Sequence, residues 1–142
     1  MTIKQISVFL ENRPGTLAEA TDALYQGNIN MRALSVADTR DFGILRFIAD
    51  DEEKALAVLK EAGYATTVTD VLAAIIPDDP GSMSKVLHAL AAAGVNVEYT
   101  YAFLAEKVEH GAVVVLRVDD ADRAAAALAA AGIALGDDKL FG

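Results

Sequence analysis

The stretch Glu11-Asn-Arg-Pro-Gly-Thr-Leu17 decides the fold, because the chain writes it a second time as Pro77-Asp-Asp-Pro-Gly-Ser-Met83. At an offset of 66, Pro14 falls on Pro80, Gly15 on Gly81, Leu24 on Leu90 and Asn30 on Asn96. Apolar positions correspond too: Leu17 with Met83, Ile29 with Val95, Met31 with Val97. Further along, the offset becomes 69, matching Asp50-Asp51 with Asp119-Asp120, Leu59 with Leu128, and Ala62-Gly63 with Ala131-Gly132. The chain is therefore a tandem repeat with three extra residues in one hairpin of the second copy. A period this long means two copies of a small domain rather than a solenoid of short units. The expected division is residues 1–70 and 71–142.

Each copy reads as strand, helix, strand, strand, helix, strand. Ile3 to Leu10 is apolar and β-rich. Pro14 is expected just inside a helix start, where its missing N–H costs nothing. Leu17, Ala20 and Leu24 follow at helical spacing, and Gly27-Asn28 ends the helix. Ile29 to Ala37 and Ile44 to Ala49 are strands about a turn at Thr39 to Gly43. Glu52 to Ala62 is a helix with acids at its positive end, closed by Gly63, and Tyr64 to Thr69 is the fourth strand. The second copy repeats the order at Val71–Ile76, Met83–Ala92, Val95–Leu104, Ala112–Val118, Asp120–Ala131 and Ile133–Leu135. This is the split β-α-β pattern of an α+β, ferredoxin-like fold.

The join at Thr69-Asp70-Val71 contains no Gly, Pro or Ser run. So little slack predicts two units packed directly on one another with pseudo-twofold symmetry. Helices cover one face of each sheet, and the other must be solvated or covered. In the second copy Val95, Val97, Tyr99, Tyr101 and Phe103 alternate, with Ala102 and Leu104 on the opposite face. That double-sided pattern predicts a homodimer.

Composition narrows the function classes. A net charge of −9 argues against nucleic acid and anionic membranes, which select basic patches. Cysteine is absent, which excludes disulfides and thiolate metal sites. His88 and His110 lie far apart in sequence, so no metal or other cofactor is expected. The N-terminus lacks the apolar core of a signal peptide, and the uncharged stretches are too short to span a bilayer. A cytoplasmic location is the expectation. No Gly-x-Ser-x-Gly elbow, phosphate loop or dinucleotide fingerprint occurs, so no catalytic residue is assigned and the chain is not expected to be an enzyme. Asp50-Asp51 and Asp119-Asp120 fall where helix starts favour negative charge.

The Pro-Gly loops carry the binding chemistry. Glycine at a helix N-terminus exposes backbone N–H groups beside the positive end of the helix dipole, which suits a carboxylate. Asn12 can donate and accept. A lone Pro-Gly would read as a tight turn, but two copies, each followed by Asn on the next strand, point to a ligand.

The run Leu10-Glu-Asn-Arg-Pro-Gly-Thr-Leu17, followed by Gly27-Asn-Ile-Asn-Met31, resembles the ACT domain, a small amino-acid-binding regulatory module. It is similar in particular to the ACT domain of bacterial phosphoglycerate dehydrogenase. The resemblance implies βαββαβ units with a ligand at the seam, held by the first loop of one unit and the start of the second strand of its neighbour. Carried onto this sequence, the ligand-binding positions are Asn12, Arg13, Gly15, Thr16, Asn30 and Met31, and in the second copy Asp78, Asp79, Gly81, Ser82, Asn96 and Val97. A histidine used by the dehydrogenase's serine site is replaced here by Leu10 and Ile76, which weakens any inference to serine. Asp78 stands where the first copy has Asn12, so the two sites are not expected to be equivalent. The implied function is a non-catalytic regulator that binds an amino acid or similar small carboxylate. The alternative is a regulatory or structural subunit that docks a metabolic enzyme without a ligand of its own.

Overall fold

The computed structural model describes residues 2–38, 41–103, 105 and 108–141. Contacts divide the chain into two units, Lys4–Thr69 with Phe141–Gly142, and Asp70–Leu140 with Met1–Ile3.

In the first unit β1 (Ile3–Glu11), α1 (Thr16–Gln26), β2 (Met31–Asp38), β3 (Phe42–Ala49) and α2 (Glu52–Glu61) lead into β4 (Thr66–Pro77). β3 lies between β1 and β2 and runs antiparallel to both. Alternation along β1 sends Ile6, Val8 and Leu10 to the helical side, where they meet Leu45, Phe47, Ala20, Leu24, Ala55 and Leu59 in one core. Each fully buried Leu or Phe of this set contributes about 1.5–3 kcal/mol.

The second unit repeats the plan with the rest of β4, α3 (Ser82–Ala92), β5 (Val97–Phe103), β6 (Gly111–Val118), α4 (Ala121–Ala130) and a short β7 (Ala134–Leu135), followed by a 3₁₀ turn at Asp138–Leu140. Its strand order is β5-β6-β4-β7, all pairs antiparallel. Leu72, Ala74, Ile76, Val86, Leu90, Leu116, Ala124 and Leu128 form its core. Volumes trade between the copies: Val86 replaces Ala20 on the helix while Leu116 replaces Phe47 on the strand. Two tandem α+β units with the ferredoxin-like element order are thus present.

Two local expectations need correction. Pro14 lies outside the helix, because α1 starts at Thr16 behind the left-handed N-cap Gly15. The strands foreseen on either side of Thr69-Asp70-Val71 are one uninterrupted strand, β4, since nothing there breaks the extended backbone. The helix α1 ends at Gly27-Asn28 as expected, with Asn28 the left-handed residue at φ 58. The turn predicted at Thr39 to Gly43 falls partly outside the described residues, at Thr39 and Arg40, and so does the strand end predicted at Leu104. Ala102 pairs with Val114 of the core and so lies exposed on the helical side of β5, while Tyr99, Tyr101 and Phe103 lie on the opposite side. Burial extends beyond the helical faces: Val71, Ala73, Val113 and Val115 are buried although they point away from α3 and α4.

Candidate functional site

The loop after β1 is held by backbone hydrogen bonds, one of them to the turn before β3. Asn12 N–H donates to Asp41 O at 3.2 Å and Arg13 N–H to Glu11 O at 3.0 Å. Thr16 turns its hydroxyl inward, donating towards Glu11 O at 2.7 Å and Arg13 O at 3.1 Å. Gly15 takes φ 90°, and no side chain caps α1. The loop before α3 repeats this: Asp78 N–H donates to His110 O at 3.2 Å, Gly81 sits at φ 91°, and α3 also has no side-chain cap. Only glycine takes that conformation without strain. The result in both copies is a helix that starts behind a left-handed glycine with no side-chain cap hydrogen bond. Asn12, Arg13, Gly15, Asp78, Asp79 and Gly81 are exposed, Ser82 is half-buried and Thr16 is buried.

Charge separates the loops. Asp78 and Asp79 crowd the start of α3, whereas Arg13 lies beside that of α1. The Arg13 guanidinium is already engaged: its Nε donates to Glu11 Oε2 at 2.7 Å. That hydrogen bond and the charge of Glu11 raise the Arg13 pKa above its ordinary value. The remaining guanidinium N–H groups are where a ligand carboxylate could bind bidentately.

Asn30, just before β2, and Met31, its first residue, form the other half of the predicted site. Asn30 N–H donates to Asp50 Oδ1 at 3.1 Å, and Asp50 N–H returns a bond to Asn30 O at 3.1 Å. In the second copy Asn96 N–H meets Asp119 Oδ1 at 3.0 Å, and Asp119 N–H meets Asn96 O at 3.2 Å. The acids therefore divide their work. Asp51 and Asp120 cap α2 and α4 through Lys54 N–H and Arg123 N–H, while Asp50 and Asp119 hold the start of the neighbouring strand. Reading all four as helix-start charges captured the caps and missed the strand anchors. The repeated Asp-Asp pairs were their only signal in the sequence, and Glu11 left none.

Register shows which predicted residues come together. Glu11 pairs with Phe42 and Met31 with Ala49, at opposite ends of β3. Seven residues of strand separate them, about 23 Å. In the second unit Pro77 pairs with Gly111 and Val97 with Val118, again seven residues apart on β6. Neither unit brings its own loop to its own strand start. Depressions over Ala23, Gly27 and Val58, over Leu87 and His88, and over Leu135 and Leu140 include none of the twelve predicted residues. Among the described residues, no three His, Asp or Glu side chains converge as metal ligands, and no helix is long and apolar enough to cross a membrane.

The family of ACT domain pairs matches residues 1–139. No protein of curated function matches the chain. Among solved structures, protein BT0572 from Bacteroides thetaiotaomicron is similar at 40% identity and a TM-score of 0.91, covering 99% of this chain and 96% of that one. The regulatory subunit of aspartate kinase from Thermus flavus shares the fold at 19% identity and a TM-score of 0.64, covering 91% and 92% of the two chains. The ligand-free regulatory subunit from Thermus thermophilus does so at 20% identity, a TM-score of 0.64 and coverage of 90% and 91%. With residues 1–139 matched by the family, the chain belongs to the ACT domain pair family.

Proposed function

We propose that this protein is a non-catalytic regulator that binds an amino acid or similar small carboxylate, with residues 1–70 and 71–142 as its two ACT domains. The ligand would be held by the loop residues Asn12, Arg13, Gly15 and Thr16, or Asp78, Asp79, Gly81 and Ser82, of one unit. A neighbouring unit would supply Asn30 and Met31, or Asn96 and Val97. The observation that carries this reading is the pair of helix starts at Gly15 and Gly81, which share one backbone geometry and lack side-chain caps. The separation of loop and strand start within each unit supports a site completed by a second unit. The loop beside Arg13 takes the carboxylate; the one beside Asp78 and Asp79 disfavours an anion and favours an ammonium group. The proposal includes a cytoplasmic location and a homodimer.

Calorimetric titration with each of the twenty common L-amino acids tests this. One of them binds, and at 100 times its Kd it stabilises the fold by about 2.7 kcal/mol. Asn12→Ala weakens binding roughly ten- to a hundred-fold, the loss of one charge-assisted hydrogen bond, and Asp78→Ala does not. Equal, negligible effects of both would reduce the loops to turns.

A second reading has its own support. Phe9 and Phe42 are 42% and 56% exposed on the helix-free side of the first unit, beside Ile44. An exposed apolar patch suits protein contact. The aspartate kinase relatives are named as regulatory subunits, so docking to a metabolic enzyme without a ligand is the alternative. Phe42→Ser would then abolish complex formation, and no amino acid would bind.

A further inference from the structure

We infer that Asp50 and Asp119 are positioning residues of the binding site: each fixes the first residues of the strand that faces the ligand. This rests on the function proposed above and adds two residues to it. Asn30 and Asn96 are exposed, so their backbone N–H groups would ordinarily be left to water. Instead each is held by a carboxylate oxygen and by a returned backbone bond, in the same two-way pattern in both copies.

Such a ring fixes both the N–H and the C=O of Asn30, which defines the direction in which its side chain and that of Met31 leave the backbone. Just downstream the ladder is irregular, with register shifts between Met31 and Ala33 and between Val97 and Tyr99. Beyond the pairing of Met31 with Ala49 and of Val97 with Val118, the aspartate carboxylate adds a bond to the residue before each strand that the ladder does not supply. Because the backbone N–H of Asn30 is occupied, a ligand would be met by the Asn30 side chain rather than by that N–H. Asp51, the next residue, caps α2, so the strand start is tied to the helix N-terminus through one peptide bond.

The test combines amide hydrogen exchange of the intact protein with calorimetry against the same panel of twenty L-amino acids. Asp50→Ala accelerates exchange at Asn30 by about tenfold or more and leaves Asn96 unchanged, because the bond lost is to a charged acceptor. Asp119→Ala does the reverse. Asp50→Asn, which keeps an oxygen acceptor in place, restores most of the protection. Asp50→Ala weakens ligand binding at the site that uses Asn30, whereas Asp51→Ala lowers the melting temperature without changing that affinity. Unchanged exchange at Asn30 would overturn the inference, as would an equal affinity loss in Asp51→Ala, which would mark general destabilisation. If no amino acid binds the native protein, the proposed function fails, and the exchange result still decides the role of Asp50 and Asp119.

Discussion

Gly27 stands so close to Val58 that a Cβ built on it would lie 2.7 Å from Val58 Cγ2. Gly27 has φ −80°, so its backbone would accept any residue. What selects glycine here is the approach of α2 to the end of α1. Gly27→Ala is expected to destabilise the first unit by about 1–3 kcal/mol through overpacking. Adding Val58→Ala should recover part of that loss, a non-additivity that a double-mutant cycle in urea would measure. Simple additivity would show that the contact is absent in solution.

At Gly15 and Gly81 the reason for glycine is the opposite one. No atom lies within 4 Å of an added Cβ at either position, yet φ is 90° and 91°. Gly15→Ala and Gly81→Ala should each cost about 1–2 kcal/mol from backbone strain alone. Equal losses in denaturation midpoints are expected for the two copies. Under the proposed function Gly15→Ala should also abolish carboxylate binding, because the methyl group would occupy the approach to the helix start.

Thr16 is a loop fastener first. Its hydroxyl bonds to Glu11 O and Arg13 O inside the loop. Thr16→Val, nearly isosteric, should lose about 1 kcal/mol of stability, while Thr16→Ser should lose less. Thermal melts of the two variants check this. A larger loss in Thr16→Ser than in Thr16→Val would assign the effect to the methyl group instead.

Glu11 competes for the guanidinium that the proposed function assigns to the ligand. Because exposed ion pairs contribute little to stability, Glu11→Gln should leave the melting temperature nearly unchanged. It should strengthen carboxylate binding, since Arg13 would no longer be shared. Weaker binding in Glu11→Gln would mean that the pair holds Arg13 in place for the ligand.

The duplication, the order of elements and most of the core were legible in the sequence, because each rests on local rules. Leu24 and Leu90 lie at helical spacing from their neighbours, strands alternate, and Pro-Gly pairs punctuate. Errors fell where two local signals compete. Pro14 suits the first helical position, but the left-handed turn at Gly15 moved the helix start beyond it. The burial of Phe141, 2% exposed and grouped with Lys4–Thr69, had no local sign at all.

The candidate site divides along the same line. Sequence alone determined that two Pro-Gly loops and two following asparagines recur, and that one loop carries Arg13 where the other carries a second aspartate. Only the tertiary structure decided that Asp50 reaches back 20 residues to Asn30 while Asp51 caps its own helix. It also placed each loop seven strand residues from the strand start of its own unit. Capping is a contact over three residues, written in local spacing; the strand anchor and the loop's distance depend on β-ladder register, which exists only once residues far apart in the chain have paired.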